Sequence, residues 1–207
     1  INQYKLLKIG LYASKKAKEV IEKLIGNDVW TIYDYCKNEG YQQLTEIQLY
    51  MDVLRLEAPH LFDSYLLYLE KNREESERFY LPKKEQLNRH GLIQAMQDLE
   101  EDKYDRVCIS MPPGTQKTTL EKFFSSWIIG RHPKDYSLFF SHNNDITEKY
   151  YKGVLDITTD SIEYTWGEIF PEVKLQSTNA KLQEINFDKY KPYASLQCSS
   201  IGSKNAG

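Results

Sequence analysis

The pattern of apolar and polar positions changes near residue 100. Before that point apolar residues recur at spacings of three and four, in a series that begins with Leu6, Ile9 and Ala13. Such spacing places side chains on one face of a helix, so residues 1–100 are predicted to be helical. After it, short β-branched or aromatic runs alternate with helical segments, which favours an α/β domain.

Start and stop residues divide the helical part into separate helices. The predicted helices cover residues 3–25, 28–39, 45–58, 60–77 and 83–100. Thr45 and Gln48 form a capping-box pair, and Pro59 suits the first turn of the helix at 60–77. Gly91 weakens the middle of the last helix. We therefore predict a helical N-terminal region over residues 1–77 and a second domain over residues 78–207.

The second domain is predicted to be a parallel α/β sheet. Its predicted strands are residues 106–110, 136–141, 173–175, 184–187 and 194–200. One helix is predicted from Lys117 to Ile129 with a stop at Gly130, and another from a cap at Asn143 or Asn144 to Ile157. The order strand, helix, strand, helix after residue 105 favours a parallel α/β sheet.

Composition excludes several classes of protein. The 207 residues include 27 Lys and Arg against 30 Asp and Glu, which excludes a globally basic nucleic-acid coat but allows a local basic groove. The three cysteines are widely spaced and form no CxxC pair, as in a reduced intracellular protein. The four histidines lack metal-ligand spacing, so no zinc site is expected. No apolar run approaches the roughly 18 residues of a membrane span.

The chemistry of the chain is concentrated in residues 106–119, where an apolar run leads into a turn-rich loop and then into Lys-Thr at a helix start. In this context loop N–H groups and the helix N-terminus bind phosphate, a lysine reaches the β- and γ-phosphates, and the next hydroxyl ligates Mg²⁺. Lys117 is the predicted catalytic lysine and Thr118 the predicted metal ligand. The predicted nucleotide-binding residues of the loop are Pro113, Gly114, Thr115, Gln116, Lys117, Thr118 and Thr119.

The loop departs from the strict phosphate-loop pattern. That pattern requires glycine at positions 111 and 116, where this chain has Met111 and Gln116. A non-glycine residue at positive φ costs about 1 kcal/mol or more. We therefore hypothesise reduced ATP affinity. Taken alone, the motif leaves open a Pro-rich turn between strand and helix that binds no ligand.

Residues 54–207 resemble the large subunit of tailed-phage terminases of the type found in phages and prophages of Gram-positive hosts. Ser110–Leu120 is similar to that family's Pro-Pro-Gly-Thr-Gly-Lys-[Ser/Thr]-Thr loop, with Gln116 as the departure. Further similar segments occur in the family's order at residues 56–65, 78–84, 126–133, 139–142, 169–175 and 200–207. The collinear order carries the resemblance.

The resemblance implies the first part of a P-loop ATPase with a parallel sheet of the ASCE, RecA/helicase-like type, which hydrolyses ATP to move viral DNA into the procapsid. ATP and Mg²⁺ are the implied cofactors. Double-stranded viral DNA, the small terminase subunit, the portal protein and a ring of identical copies are the implied partners, in the host bacterial cytoplasm and without a membrane. The acidic magnesium strand, the catalytic Glu and the nuclease are expected after Gly207, so the chain is expected to be an inactive fragment by itself.

The resemblance also suggests roles for residues outside the loop. Tyr80 and Gln86, with Phe79, are candidates for stacking on adenine and reading it. The alternative is that the aromatic rings are core and Gln86 is a solvated helix residue. Arg131 is a candidate to stabilise the transition state, with a surface arginine at a helix end as the alternative. Ser141 and His142 end a predicted strand on the edge where parallel sheets place ligands.

Two other functions compete with a terminase ATPase. One is another helicase-like or AAA-type P-loop ATPase acting on nucleic acid. The sequence following Gly207 discriminates, because a nuclease domain with spaced acidic residues favours terminase and a second RecA-like domain favours the alternative. The other is a non-enzymatic helical adaptor with a degenerate α/β domain, which a lack of Mg-ATP binding would favour.

Overall fold

The structure, a computed structural model, describes residues 51, 54–188 and 193–201. The predicted helices at 3–25 and 28–39 lie outside the described residues. Residues 54–57 are helical and are followed by a turn at 58–60. The predicted end of a helix before Pro59 is therefore confirmed.

Six α-helices, two 3₁₀ helices (Glu75–Glu77 and Leu81–Lys83) and four strands are described after that turn. The helices are α1 (Phe62–Leu69), α2 (Lys84–Arg89), α3 (Leu92–Glu100), α4 (Lys117–Arg131), α5 (Asn144–Thr159) and α6 (Trp166–Ile169). The strands are β1 (Ser137–Ser141), β2 (Ser177–Asn179), β3 (Glu184–Asn186) and β4 (Leu196–Ser200). The predicted start of α4 at Lys117 is confirmed, and so is the cap of α5, where the Asn143 side chain accepts the N–H of Asp145.

Two helix predictions in the first half are wrong in extent. Of residues 60–77, only Phe62–Leu69 are α-helical, and Glu75–Glu77 form a short 3₁₀ helix. The α-helix ends at Leu69, because Glu70 there accepts the N–H groups of Phe79 and Tyr80. Residues 83–100 form two helices, α2 and α3, instead of one. The break falls at Gly91, whose φ of +67° is left-handed and incompatible with a continuous helix.

The sheet is mixed, so the prediction of a parallel sheet is only partly right. Its strand order is β1-β4-β3-β2. β1 and β4 are parallel, from Ser137 beside Leu196 to Ser141 beside Ser200, whereas β3 pairs antiparallel with both β2 and β4. The connections on either side of β3 are too short for a parallel crossover, which needs about a dozen residues or more.

The predicted strands at 106–110 and 173–175 are not strands of this sheet. At 106–110 exposure alternates as in extended chain, since Val107 and Ile109 are partly buried while Arg106, Cys108 and Ser110 are exposed. Among the described residues, this segment is not one of the paired strands of the sheet. An apolar run indicates where a strand forms but not which neighbour completes its hydrogen bonds.

Aromatic side chains fix α4 in the core. Trp127 is fully buried, lies 5.2 Å from Phe62 between ring centroids, and donates its indole N–H to the Ala58 carbonyl at 2.9 Å. Gly130 is buried and has no room for a Cβ beside the ring of Phe170, so it sits within α4 for close packing. The helix therefore continues to Arg131, and the predicted stop at Gly130 is wrong.

The two faces of β1 differ. Phe139 stacks on Tyr150 of α5 with a centroid separation of 3.6 Å, whereas Leu138 and Phe140 are 66% and 55% exposed on the opposite face.

Among the described helices, none is both long and apolar enough to cross a bilayer.

Candidate functional site

The loop before α4 contains two residues in the left-handed conformation. Gly114 has a φ of +80° and Gln116 a φ of +60°. Left-handed residues at alternate positions of a loop turn successive N–H groups toward a common side, which makes an anion-binding concavity. Gln116 therefore adopts, at the position where the phosphate-loop pattern has glycine, the conformation that glycine favours.

The backbone N–H groups of residues 114–118 are available to a ligand. Within the described part of the chain none of them donates a hydrogen bond to protein. The first protein-bound amides of α4 belong to Thr119 and Leu120, which donate to the Gln116 carbonyl at 3.0 and 3.3 Å. Unpaired N–H groups carry the positive end of the helix dipole, so this end of α4 favours an anion.

Lys117 lies at the junction of loop and helix. Its half-buried side chain returns along the loop and donates to the Met111 carbonyl at 2.5 Å. Burial raises the pKa of Glu121, one turn along α4, and the Lys117 ammonium only partly offsets that rise. The ammonium thus contacts the loop that carries the free N–H groups and adds positive charge to it.

The hydroxyl residues of the loop have different positions. Thr115 is partly buried and its hydroxyl donates to the Pro112 carbonyl at 2.8 Å, which closes the turn. Pro113 and Thr118 are exposed, whereas Thr119 is partly buried in the first turn of α4. Thr118 is thus placed where its hydroxyl can reach a ligand at the end of the helix.

Lys83 is a residue at this loop that sequence reasoning missed. It ends a 3₁₀ turn at Leu81–Lys83, and its ammonium donates to the side-chain carbonyl of Gln116. The same ammonium lies 4.4 Å from the ring centroid of Phe79. The basic pair Lys83-Lys84 in the segment before the phosphate loop was the available clue, but sequence does not show which of the two faces the loop.

Of the three residues predicted to contact adenine, Phe79 and Tyr80 are buried and Gln86 is exposed. Tyr80 is fully buried, and its hydroxyl bonds to the Asp63 carboxylate and accepts from Asn88 at 3.1 Å. Burial raises the pKa of Tyr80, with the Asp63 charge as the second cause. Gln86 is exposed on α2. The ring of Tyr80 offers no exposed face for stacking on a base, as in the core alternative.

Arg131 lies at the opposite end of α4 and contacts several other parts of the fold. Its Nε is 2.7 Å from Oε1 of the buried Glu100, and its Nη1 donates to the Pro59 carbonyl at 3.0 Å. Its guanidinium carbon also lies 4.8 Å from the ring centroid of Trp127. These contacts explain Arg131 as a packing residue.

His142, which follows β1, is exposed.

Thr118 offers an exposed hydroxyl as a candidate ligand for a phosphate-bound Mg²⁺. In the part of the chain that is described, no three His, Cys, Asp or Glu side chains cluster to hold a metal. Mg²⁺ bound through phosphates needs few protein ligands, and the exposed Thr118 hydroxyl suits that requirement.

Comparison of the chain with protein-family models, curated proteins and solved structures found no match.

Two glycines provide a matched test of the loop. Gly91 and Gly114 both have positive φ, and no atom lies within 4 Å of a Cβ added to either. Alanine at either position is therefore expected to cost about 1–2 kcal/mol of stability through backbone strain. Only Gly114→Ala is expected also to weaken binding of Mg-ATP. Denaturant unfolding and calorimetric titration measure the two effects, and equal losses of ATP affinity in both variants would contradict a role for the loop.

Proposed function

We propose that this chain is the ATP-binding part of a phage terminase large subunit. The observation that carries the nucleotide assignment is the run of unpaired N–H groups at residues 114–118, beside the Lys117 ammonium and at the N-terminus of α4. The terminase assignment is supported by the resemblance of residues 54–207, with the phosphate-loop-like segment at 110–120 as its most specific part.

Each group of the loop has a distinct role in the proposal. The N–H groups of residues 114–118 donate to β- and γ-phosphate oxygens, and Lys117 exchanges its bond to Met111 for these oxygens. Thr118 presents its hydroxyl to the metal. When bound, Mg²⁺ neutralises charge on the phosphates and orients them for transfer. The residues of this chain thus bind and position the nucleotide.

In the proposed biological setting, the complete enzyme uses ATP hydrolysis to move double-stranded viral DNA into the procapsid. It would act in the bacterial cytoplasm as a ring of copies, together with the small terminase subunit and the portal protein. A second function, a helicase-like P-loop ATPase, would use the same loop. Nucleotide binding therefore tests the chemistry that both share.

Titration of the chain with ATP, with and without Mg²⁺, tests the proposed function. Replacing Thr118 by valine preserves its shape and removes the hydroxyl. We expect Thr118→Val to weaken ATP binding about tenfold in Mg²⁺, or about 1.4 kcal/mol, and to have little effect in EDTA. Thr178→Val, at an exposed position on β2, is the matched control. If the wild-type chain binds no Mg-ATP, the proposal fails and the non-enzymatic adaptor is favoured.

A further inference from the structure

Two lysine side chains contact opposite ends of the loop at 111–116. Lys117 donates to the Met111 carbonyl, and Lys83 donates to the Gln116 side chain. Throughout the described ranges, neither ammonium lies within ion-pair distance of a carboxylate. Glu121 interacts with Lys117 through its charge without forming an ion pair, so both ammonium groups add positive potential at a loop that already presents unpaired N–H groups.

The backbone that carries Lys83 is fixed by buried contacts. The Glu70 carboxylate, 2% exposed, accepts the N–H groups of Phe79 and Tyr80 at 3.0 and 2.9 Å. The N–H of Lys83 then donates to the Tyr80 carbonyl at 2.9 Å. The core therefore places the backbone of Lys83 next to the loop, whereas the contact with Gln116 places its ammonium.

The present partner of Lys83 is a neutral amide. A hydrogen bond from an ammonium to a phosphate oxygen is charge-assisted on both sides and stronger than one to a carboxamide. The flexible four-carbon side chain of lysine allows its ammonium to move from one acceptor to another nearby. An anion bound at the loop would thus compete successfully with Gln116 for Lys83.

We propose that Lys83 is a second phosphate-binding lysine, held at the loop by Gln116 and transferred to the terminal phosphate when nucleotide binds. This inference rests on the proposed function. It gives the residue that replaces glycine a role, because the side-chain carbonyl of Gln116 keeps a cation at the loop before the ligand arrives. Glycine at position 116 would leave Lys83 without this partner.

The test compares ATP and ADP binding, by calorimetry in Mg²⁺, for the wild-type chain and for Lys83→Gln. We expect Lys83→Gln to weaken ATP binding about tenfold and ADP binding by less than about threefold, because ADP lacks the terminal phosphate. Lys83→Arg keeps the charge and is expected to retain most of the affinity. Lys134→Gln is the matched control, since Lys134 is exposed beyond the far end of α4.

A double-mutant cycle tests the part played by Gln116. In a Gln116→Gly background the effect of Lys83→Gln on ATP binding is expected to fall to less than about threefold, since the holder of Lys83 is absent. Wild-type ATP affinity in Lys83→Gln would overturn the inference while leaving the proposed function intact. Equal losses for ATP and ADP together with reduced stability would overturn it in favour of a structural role. Absence of any wild-type binding would overturn the proposed function itself.

Discussion

Lys117→Ala is expected to lower the affinity for Mg-ATP by about 30- to 150-fold. An ammonium bound to phosphate oxygens contributes about 2–3 kcal/mol through charge-assisted hydrogen bonds, and alanine removes all of it. The fold loses only the bond to the Met111 carbonyl, so the free energy of unfolding should fall by about 1 kcal/mol. Calorimetric titration and denaturant unfolding on the same samples separate the two effects.

Lys134→Ala is the control for this experiment, because it removes the same charge beyond the far end of α4. It should leave both affinity and stability within experimental error of the wild type. If Lys117→Ala bound Mg-ATP as tightly as this control, the loop would not be the nucleotide site. The prediction is independent of Lys83, whose effect is expected to be smaller and confined to ATP.

Glu70→Ala is expected to give the largest loss of stability, about 3–5 kcal/mol. The variant leaves the buried N–H groups of Phe79 and Tyr80 without an acceptor. It also removes the ion pair between Glu70 and Arg73, in which Nη1 of Arg73 lies 3.1 Å from the carboxylate. Arg73 keeps its second ion pair, from Nε to Glu163 at 3.0 Å. Unpaired buried polar groups carry their full desolvation cost, which explains the size of the effect. Denaturant unfolding monitored by circular dichroism measures it.

Glu77→Ala controls for the loss of a carboxylate from the same charged segment. Glu77 is exposed, so its replacement should change the free energy of unfolding by no more than about 0.5 kcal/mol. A Glu70→Ala variant as stable as Glu77→Ala would show that the Glu70 contacts do not hold the segment. In that case residues 79–83 would need another anchor to place Lys83 at the loop.

Local signals predicted the elements that begin with strong start residues. Lys117 follows a turn-rich loop and Asn143 is a good cap, so the starts of α4 and α5 could be read from a few neighbouring residues. β1 was predicted within one residue of its observed start because it is a short apolar run between polar turns. None of these predictions required knowledge of distant contacts.

Predictions that depended on distant contacts were less successful. α1 ends next to Glu70, whose carboxylate accepts the N–H of Tyr80 further along the chain. The residues around Glu70 in the sequence do not indicate that contact. The antiparallel pairing of β3 and the position of residues 106–110 outside the sheet depend on which strands meet. The contact of Lys83 with Gln116 joins residues 33 positions apart, which a pattern in one sequence cannot show.

The uncovered face of β1 affects how these experiments should be run. Leu138 and Phe140 expose apolar side chains to water on β1, which is an edge strand of the described sheet. Exposed apolar side chains on an edge strand promote association between copies of a protein, and the associated fraction rises with protein concentration. Titrations at low micromolar protein concentration, repeated after dilution, therefore separate ligand affinity from self-association. A Leu138→Lys background would reduce self-association without altering the loop at the start of α4.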